Sequence, residues 1–252
     1  MHSNKTNYLI ILLLLMLILT PIGLTPAKAI DHKLPSTTFT FSGDRQNGLS
    51  GENIMRVKDV TKSTLTKMNS IMPGLADTIH FTFLVTDRDL SKVNGVTGRA
   101  DKPNEIEIIL SSSFEGGLGM AIESGLEITL FHELHHTIRG WTIYENKFGS
   151  GIDIAAINEG LADVFFEIYA GHPHSNYSND INVDSWVTEV LLLPKDANYG
   201  DWMFSHPDGR ESIGYKVGSY VVKKAMTRSS IDILELGLLP IQSIYELAGY
   251  HK

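Results

Sequence analysis

The feature that most constrains the fold is the stretch His-Glu-Leu-His-His at positions 132–136. It fits the pattern H-E-x-x-H, in which His132 and His136 are four residues apart and His135 is the extra histidine. Residues four apart on an α-helix lie one turn above each other on the same face, so both imidazoles can bind one Zn²⁺. The pattern therefore predicts a helix that carries a metal ion on one face.

The glutamate of this pattern has a different task from the histidines. Glu133 lies one step further round the helix, where its carboxylate can reach a water molecule on the metal without joining the ligands. Zinc lowers the pKa of such a water from about 15.7 to about 7, and we predict Glu133 as the general base that accepts its proton. His135 shares another face with Phe131 and Ile138, so we expect it to point away from the metal.

A catalytic zinc site needs a third protein ligand and keeps its fourth position for water. The stretch Asn-Glu-Gly-Leu-Ala-Asp at 158–163 supplies a candidate, because Glu159 and Asp163 are also one helical turn apart. We predict that Glu159 is the third ligand and that Asp163 accepts a hydrogen bond from the far nitrogen of a ligand histidine. The alternative is an exposed, acid-rich helix start, because acidic side chains are favoured at that end of a helix.

Residues and motifs that the chain lacks restrict the possible metal ligands and partners. The metzincin pattern H-E-x-x-H-x-x-G-x-x-H would need a glycine and a histidine where the chain has Arg139 and Thr142, so this pattern is excluded. The chain has no cysteine, so any metal must be held by histidines and carboxylates. With a net charge of -8 and no run of Lys and Arg, nucleic acid is not expected as a partner.

The N-terminus reads as a signal peptide covering residues 1–29. Lys5 precedes an apolar stretch of about 12 residues, then helix breakers, then Ala-Lys-Ala ending at Ala29. We predict cleavage after Ala29 and secretion of a single domain, residues 30–252. The alternative is an uncleaved membrane anchor formed by residues 8–24, which is short of the roughly 20 apolar residues that a spanning helix needs.

The remaining chain alternates between strand-like and helix-like patterns. Period-two alternation predicts three strands, at Ser36–Ser42, Ile79–Thr86 and Glu105–Leu110. Helical spacing predicts five longer helices, at Glu52–Met72, Met120–Ile138, Ile152–Ala170, Val183–Leu193 and Glu211–Thr227, with two short ones in Ser230–Tyr250. The stretches 87–104 and 195–210 are predicted to be connections. The expected fold class is α+β, with a small N-terminal sheet among helices followed by a mostly helical half.

These motifs resemble those of gluzincins, the thermolysin-like class of zinc peptidases with two histidine ligands and one glutamate ligand. They resemble more closely a bacterial family of predicted Zn-dependent proteases of unknown function. Its members show TGR before a strand, HELHH followed by an arginine, EGLAD, and GYxxG, in that order. This chain has each of them, at Thr97–Arg99, His132–His136 with Arg139, Glu159–Asp163 and Gly214–Gly218.

The resemblance implies a zincin-like fold with one catalytic Zn²⁺ on His132, His136 and Glu159. It further implies that Glu133 is the base, with Asp163 behind the ligands and a peptide or protein as substrate. Thermolysin-like enzymes also use a tyrosine or histidine, downstream of the third ligand, to stabilise the oxyanion.

Three residues are candidates for this oxyanion donor: Tyr215, Tyr220 and His206. Tyr215 is our choice because it lies in the GYxxG match, beside glycines that permit close approach. Ordinary packing of a half-buried helical tyrosine is the alternative for Tyr215, and a plain surface position is the alternative for His206.

The function that this sequence predicts is that of a secreted, monomeric zinc metallopeptidase. Two alternatives stay open: a non-catalytic, zinc-binding interaction protein at the cell surface, and a membrane-tethered regulatory peptidase.

Two weaker sequence features each allow two interpretations. His172 and His174 have a spacing that suits a metal or an ordinary surface loop. The aromatic residues between Trp186 and Phe204, and Trp141, suit a substrate groove or the core.

Overall fold

The computed structural model describes residues 33–42, 48–171 and 182–251. These residues belong to one compact unit, His32–Lys252. The predicted signal peptide and the two histidines whose spacing suits a metal or a surface loop, His172 and His174, lie outside the described residues. None of the helices within the described ranges is long and apolar enough to cross a membrane.

A four-stranded mixed sheet forms the N-terminal part of this unit. Its strands are β1 (Ser36–Ser42), β2 (Thr78–Thr86), β3 (Val96–Lys102) and β4 (Glu105–Ser111), in the spatial order β1-β2-β4-β3. The strands β1, β2 and β4 are parallel, and β3 lies antiparallel to β4 at one edge. Phenylalanines pair across β1 and β2 in register, Phe39 with Phe81 and Phe41 with Phe83, and their rings stack. This apolar alternation is what made β1 and β2 predictable.

The edge strand β3 corrects the prediction that 87–104 is a connection. Only Val96 and Ala100 of β3 are buried. The rest of the segment is Thr-Gly-Arg and Asp-Lys, whose glycine and charges disfavour strand formation. Backbone pairing with β4, from Val96 opposite Leu110 to Lys102 opposite Glu105, stabilises the strand instead. Such pairing depends on tertiary context, and no local pattern reports it.

One long helical segment follows the sheet and carries the histidine cluster. Helix α1 (Gly51–Ile71) lies between β1 and β2 in the chain. The long segment after the sheet consists of α2 (Gly117–Ala121), a π-helical turn (Ile122–Leu126) and α3 (Glu127–Arg139). The prediction of Met120–Ile138 was therefore too short at both ends. Helix α3 ends at Gly140, whose φ of 82° is the left-handed conformation that glycine adopts without strain.

The C-terminal half is helical, as predicted. Its helices are α4 (Ile152–Tyr169), α5 (Val183–Leu192), α6 (Tyr199–Met203), α7 (Ile213–Ser229), α8 (Ile233–Gly237) and α9 (Ile241–Ala248). Two elements differ from those predicted. The predicted connection 195–210 contains α6, and α7 begins at Ile213 rather than at Glu211, because Ser212 adopts a left-handed φ of 54°.

Two glycines bring α4 and α7 into backbone contact. A methyl group at Gly160 would overlap the backbone of Gly218, and a methyl group at Gly218 would overlap the carbonyl of Ala156. Close approach of this kind buries α4 along most of its length, including Asn158, Glu159 and Asp163. The alternative interpretation of Glu159 and Asp163, an exposed and acid-rich helix start, is therefore wrong. The four-stranded sheet followed by a helical half confirms the predicted α+β fold class.

Candidate metal centre

Three side chains from two helices converge on one point. The Nε2 atoms of His132 and His136 lie 2.9 Å apart on α3. The Oε2 atom of Glu159, on α4, lies 3.0 Å from Nε2 of His132 and 3.2 Å from Nε2 of His136. This trio is the group of potential metal ligands found in the part of the chain that the structure describes.

The dimensions and chemistry of this trio suit Zn²⁺. Ligand atoms at the usual distance of about 2.0–2.1 Å from a tetrahedral zinc ion are separated from each other by about 3.3 Å. The observed separations of 2.9, 3.0 and 3.2 Å form such a triangular face, slightly contracted. Two imidazole nitrogens with one carboxylate oxygen are also a donor set that catalytic zinc sites use, and a fourth position stays available to water.

Asp163 contacts the nitrogen of His132 that faces away from Glu159. Its Oδ1 lies 3.2 Å from Nδ1 of His132, and its Oδ2 accepts a hydrogen bond of 3.2 Å from the hydroxyl of Ser219 on α7. This contact favours a proton on Nδ1 and leaves Nε2 free to bind a metal. Burial lowers the pKa of His132, but the hydrogen bonds and charges of Asp163 and Glu159 outweigh it and hold that pKa well above its usual value.

Trp141 holds the other oxygen of Glu159. The indole Nε1 donates a hydrogen bond of 3.0 Å to Oε1, while Oε2 faces the two histidines. Burial raises the pKa of Glu159, but the charge of His136 and the hydrogen bonds of both histidines hold it well below its usual value. The carboxylate is therefore ionised and fixed in orientation. The sequence left the role of Trp141 open, and only its position just after the histidine helix hinted at it.

The side chain of Glu133 extends from α3 toward the edge strand β3. It is buried, and the backbone N–H of Ala100 donates a hydrogen bond to it. Burial raises the pKa of Glu133 above its usual value, although the neighbouring histidines and this hydrogen bond oppose the rise. Gly98 permits this arrangement, since a Cβ there would lie only 2.8 Å from Cγ of Glu133. A carboxylate with a raised pKa beside the three ligand atoms is suited to accept a proton.

His135 is directed into the core and is not part of the trio. Its ring packs 5.2 Å from the ring of Phe165, and burial lowers its pKa well below the usual value. His135 is thus a neutral core residue, consistent with the different helix face expected for it.

The three predicted oxyanion-donor candidates have different surroundings. The hydroxyl of Tyr220 donates a hydrogen bond of 2.9 Å to Asp184 on α5. Nδ1 of His206 lies 2.8 Å from a carboxylate oxygen of Asp208. Tyr215 lies one helical turn before Ser219, the residue that contacts Asp163, so it is on the side of α7 that faces the metal centre.

Tyr199, which the sequence analysis did not single out, lies close to the same centre. It is the first residue of α6, a helix that packs against α4 and α7. Burial and the charges of Glu159 and Glu133 raise the pKa of its hydroxyl. The sequence indicated it only as one of the aromatic residues between Trp186 and Phe204 that suit a substrate groove or the core.

Comparison with known families places these features in a wider context. A family model described as predicted Zn-dependent protease (DUF2268) matches residues 57–246, which is most of the chain. The chain belongs to this family. The predicted resemblance to Zn-dependent proteases is thereby confirmed, and the residues matched include the edge strand and both motif helices. No curated protein and no solved structure matches the chain.

Proposed function

We propose that this protein is a secreted zinc peptidase of the gluzincin type, with one Zn²⁺ held by His132, His136 and Glu159. The observation that carries the proposal is the convergence of these three side chains beside Glu133. Membership in the family of predicted Zn-dependent proteases supports the same chemistry. Secretion rests on the N-terminal sequence. Intact mass of protein from the medium should show Ile30 as the first residue, whereas full-length chain in the membrane pellet would favour a tether.

Each residue of the metal centre would have a separate role in the hydrolysis of a peptide bond. A zinc ion held here would lower the pKa of a water molecule to about 7 and polarise the substrate carbonyl. Glu133 would accept the proton of that water as its oxygen adds to the carbonyl carbon. Glu133 would then pass the proton to the amine nitrogen as the carbon–nitrogen bond breaks. Asp163 and Trp141 would keep His132 and Glu159 in the orientation that this reaction needs.

Tyr215 is the residue that we propose as donor to the oxyanion. Its place on α7, one turn from Ser219, supports this role. Its phenol would donate a hydrogen bond to the carbonyl oxygen as negative charge develops there, which is where a fixed donor accelerates acyl transfer most.

The first experiment compares three glutamate variants in zinc content and peptide hydrolysis. Glu133→Gln should keep about one zinc per chain and lose at least about 10²-fold to 10⁴-fold in kcat, because the proton acceptor is gone. Glu159→Ala should lower the zinc content. Glu127→Gln is the matched control, since Glu127 begins the same helix and pairs with Lys67 instead. Undiminished turnover by Glu133→Gln would overturn the assignment of the base.

The same measurements separate the peptidase from the non-catalytic alternative. A zinc-binding interaction protein would hold one zinc ion yet cleave no member of a broad peptide library. The burial of Glu133 against the ligand trio favours the peptidase, because metal retention alone does not require a buried carboxylate at that position.

A further inference from the structure

Two pairs of exposed apolar side chains lie in segments that reach the metal centre, one after Trp141 and one in and after α6. Ile143 and Tyr144, which are 56% and 67% exposed, follow Trp141 closely. Tyr199 and Phe204, which are 43% and 55% exposed, lie at the start of α6 and directly after it. A single exposed apolar residue is ordinary, but a group of them around a reactive centre is typical of a binding surface.

Three aromatic rings of the second segment and of α7 form what we call the aromatic wall: Tyr199, Phe204 and Tyr215. The rings of Tyr199 and Phe204 meet nearly edge-on with centroids 5.9 Å apart. The rings of Phe204 and Tyr215 are 6.4 Å apart. Together they present one continuous aromatic surface, although each ring comes from a different part of the segment 199–215.

Both ends of the aromatic wall are close to the catalytic groups. At one end, Tyr215 lies one turn from Ser219, which connects through Asp163 to His132. At the other end, Tyr199 begins α6, which packs against α4, the helix that carries Glu159. A peptide whose scissile bond reached Glu133 would therefore bring a neighbouring side chain against these rings.

The wall is held rigidly although it is exposed. The side chain of Asn198 caps α6 by accepting a hydrogen bond of 3.1 Å from the N–H of Asp201. Met203 is fully buried against Gly214, where a side chain would collide with its sulfur. The N–H of Ser212 donates a hydrogen bond of 2.8 Å to the carbonyl of Phe204. Rings held in place in this way bind a ligand without a large loss of conformational entropy.

We propose that the aromatic wall binds an apolar side chain of the substrate next to the scissile bond. The protein would accordingly select peptides with a large apolar residue at that position. This inference rests on the proposed function and adds a substrate class to it. The wall residues carry no charge, and the nearby carboxylates of Glu133 and Glu159 are engaged by the Ala100 N–H, Trp141 and the histidines. An apolar side chain therefore fits better than a basic one.

The test uses the zinc-loaded protein and matched peptides that carry Phe, Leu, Lys or Gly on either side of the scissile bond. The unmodified protein should cleave the Phe or Leu peptide at least about tenfold more efficiently than the Gly peptide, as a filled apolar pocket allows. Phe204→Ala and Tyr199→Ala should remove most of this ratio. Tyr199→Phe should keep it, because the ring remains. Leu238→Ala, at an exposed apolar residue of the C-terminal segment, is the matched control and should leave the ratio unchanged.

Binding provides a readout that does not depend on turnover. Two peptide hydroxamates that differ only by a benzyl group should differ about tenfold in affinity, and Phe204→Ala should abolish the difference without loss of zinc. Three outcomes would contradict the proposal that the aromatic wall binds an apolar side chain. They are equal hydroxamate affinities in the unmodified protein, a cleavage preference kept in both alanine variants, and faster cleavage of the Lys peptide. Failure to cleave any peptide would overturn the proposed function instead, and the hydroxamate pair would still decide the role of the wall.

Discussion

At the scale of single residues, the three ligand side chains are supported unequally. Asp163 contacts Nδ1 of His132, and Trp141 donates to Oε1 of Glu159. Nδ1 of His136 is buried and has no hydrogen-bond partner among the described residues. Its ring meets that of His132 edge-on, with centroids 4.5 Å apart. On the side away from the ligand atoms, His136 is thus supported by packing alone, whereas hydrogen bonds support His132 and Glu159 there.

Substitution of Tyr215 tests the proposed oxyanion donor. Tyr215→Phe keeps the ring against Phe204 and removes only the hydroxyl, so kcat should fall about 10²-fold to 10³-fold with little change in KM. Tyr220→Phe on the same helix is the control. The hydroxyl of Tyr220 donates to Asp184, so its loss should leave kcat within about twofold. Steady-state kinetics on one peptide compares them, and equal kcat for both variants would exclude Tyr215 as the donor.

Residues linked by helical periodicity could be predicted, and residues linked across distant segments could not. His132 and His136, like Glu159 and Asp163, are four apart, so one helical turn determines their common face. The indole of Trp141 reaches Glu159 across 18 residues, and Tyr199 approaches the centre from a separate short helix. No local spacing encodes contacts of that kind, because they depend on how the helices pack.

At the scale of elements, β3 is the strand that connects the sheet to the metal centre. Its residue Ala100 donates to Glu133 and accepts a backbone hydrogen bond of 3.0 Å from Ile143. Thr129 of α3 reaches the carbonyl of Val96 with its hydroxyl. The strand was missed because Thr-Gly-Arg-Ala-Asp-Lys has weak intrinsic preference for extended structure. Gly98, which weakens that preference, is also what lets α3 approach so closely.

Substitution of Gly98 tests this close approach. In Gly98→Ala the new Cβ would lie 2.8 Å from Cγ of Glu133, 2.9 Å from Cγ2 of Thr129 and 3.0 Å from Cδ1 of Ile108. Either the base or the strand must move, so we expect a loss of about 1–3 kcal/mol in unfolding free energy. We also expect kcat to fall by up to about 10²-fold.

Urea denaturation and steady-state kinetics measure the two effects of Gly98→Ala, and metal analysis should show its zinc content unchanged. Gly51→Ala is the matched control, because a Cβ at Gly51 meets nothing within 4 Å. If Gly98→Ala kept both full kcat and full stability, β3 would have no part in positioning Glu133.

At the scale of the whole molecule, the sequence predicted the α+β class and the helical second half but not the strand order. Alternating Phe39, Phe41, Phe81 and Phe83 identified two strands, since a buried sheet face repeats every second residue. The parallel arrangement of β1, β2 and β4, and the antiparallel β3 beside them, depend on the paths of the connections. A pattern within one strand contains no information about its neighbours.

One arginine connects the metal helix to the C-terminal end of the chain. Nε of Arg139 donates a hydrogen bond of 2.7 Å to the side-chain oxygen of Asn158, and its other nitrogens donate to the carbonyls of Gly237 and Leu239. The guanidinium also lies 4.6 Å from the ring of Phe148. Burial lowers the pKa of Arg139 to about 10, which leaves it charged at neutral pH. A single buried side chain therefore joins α3, α4, the end of α8 and the residues that follow it.

Loss of this arginine should destabilise the whole unit. Arg139→Met would leave two buried acceptors and one partly buried acceptor without their donor, and we expect the unfolding free energy to fall by about 2–4 kcal/mol. Arg228→Met is the matched control, because Arg228 also donates to a C-terminal carbonyl, that of Leu247, but from an exposed position. Its loss should cost less than about 0.5 kcal/mol. Urea denaturation with a chelator present prevents zinc from masking the difference, and equal midpoints for the two variants would show that Arg139 does not hold the C-terminal segment to the metal helix.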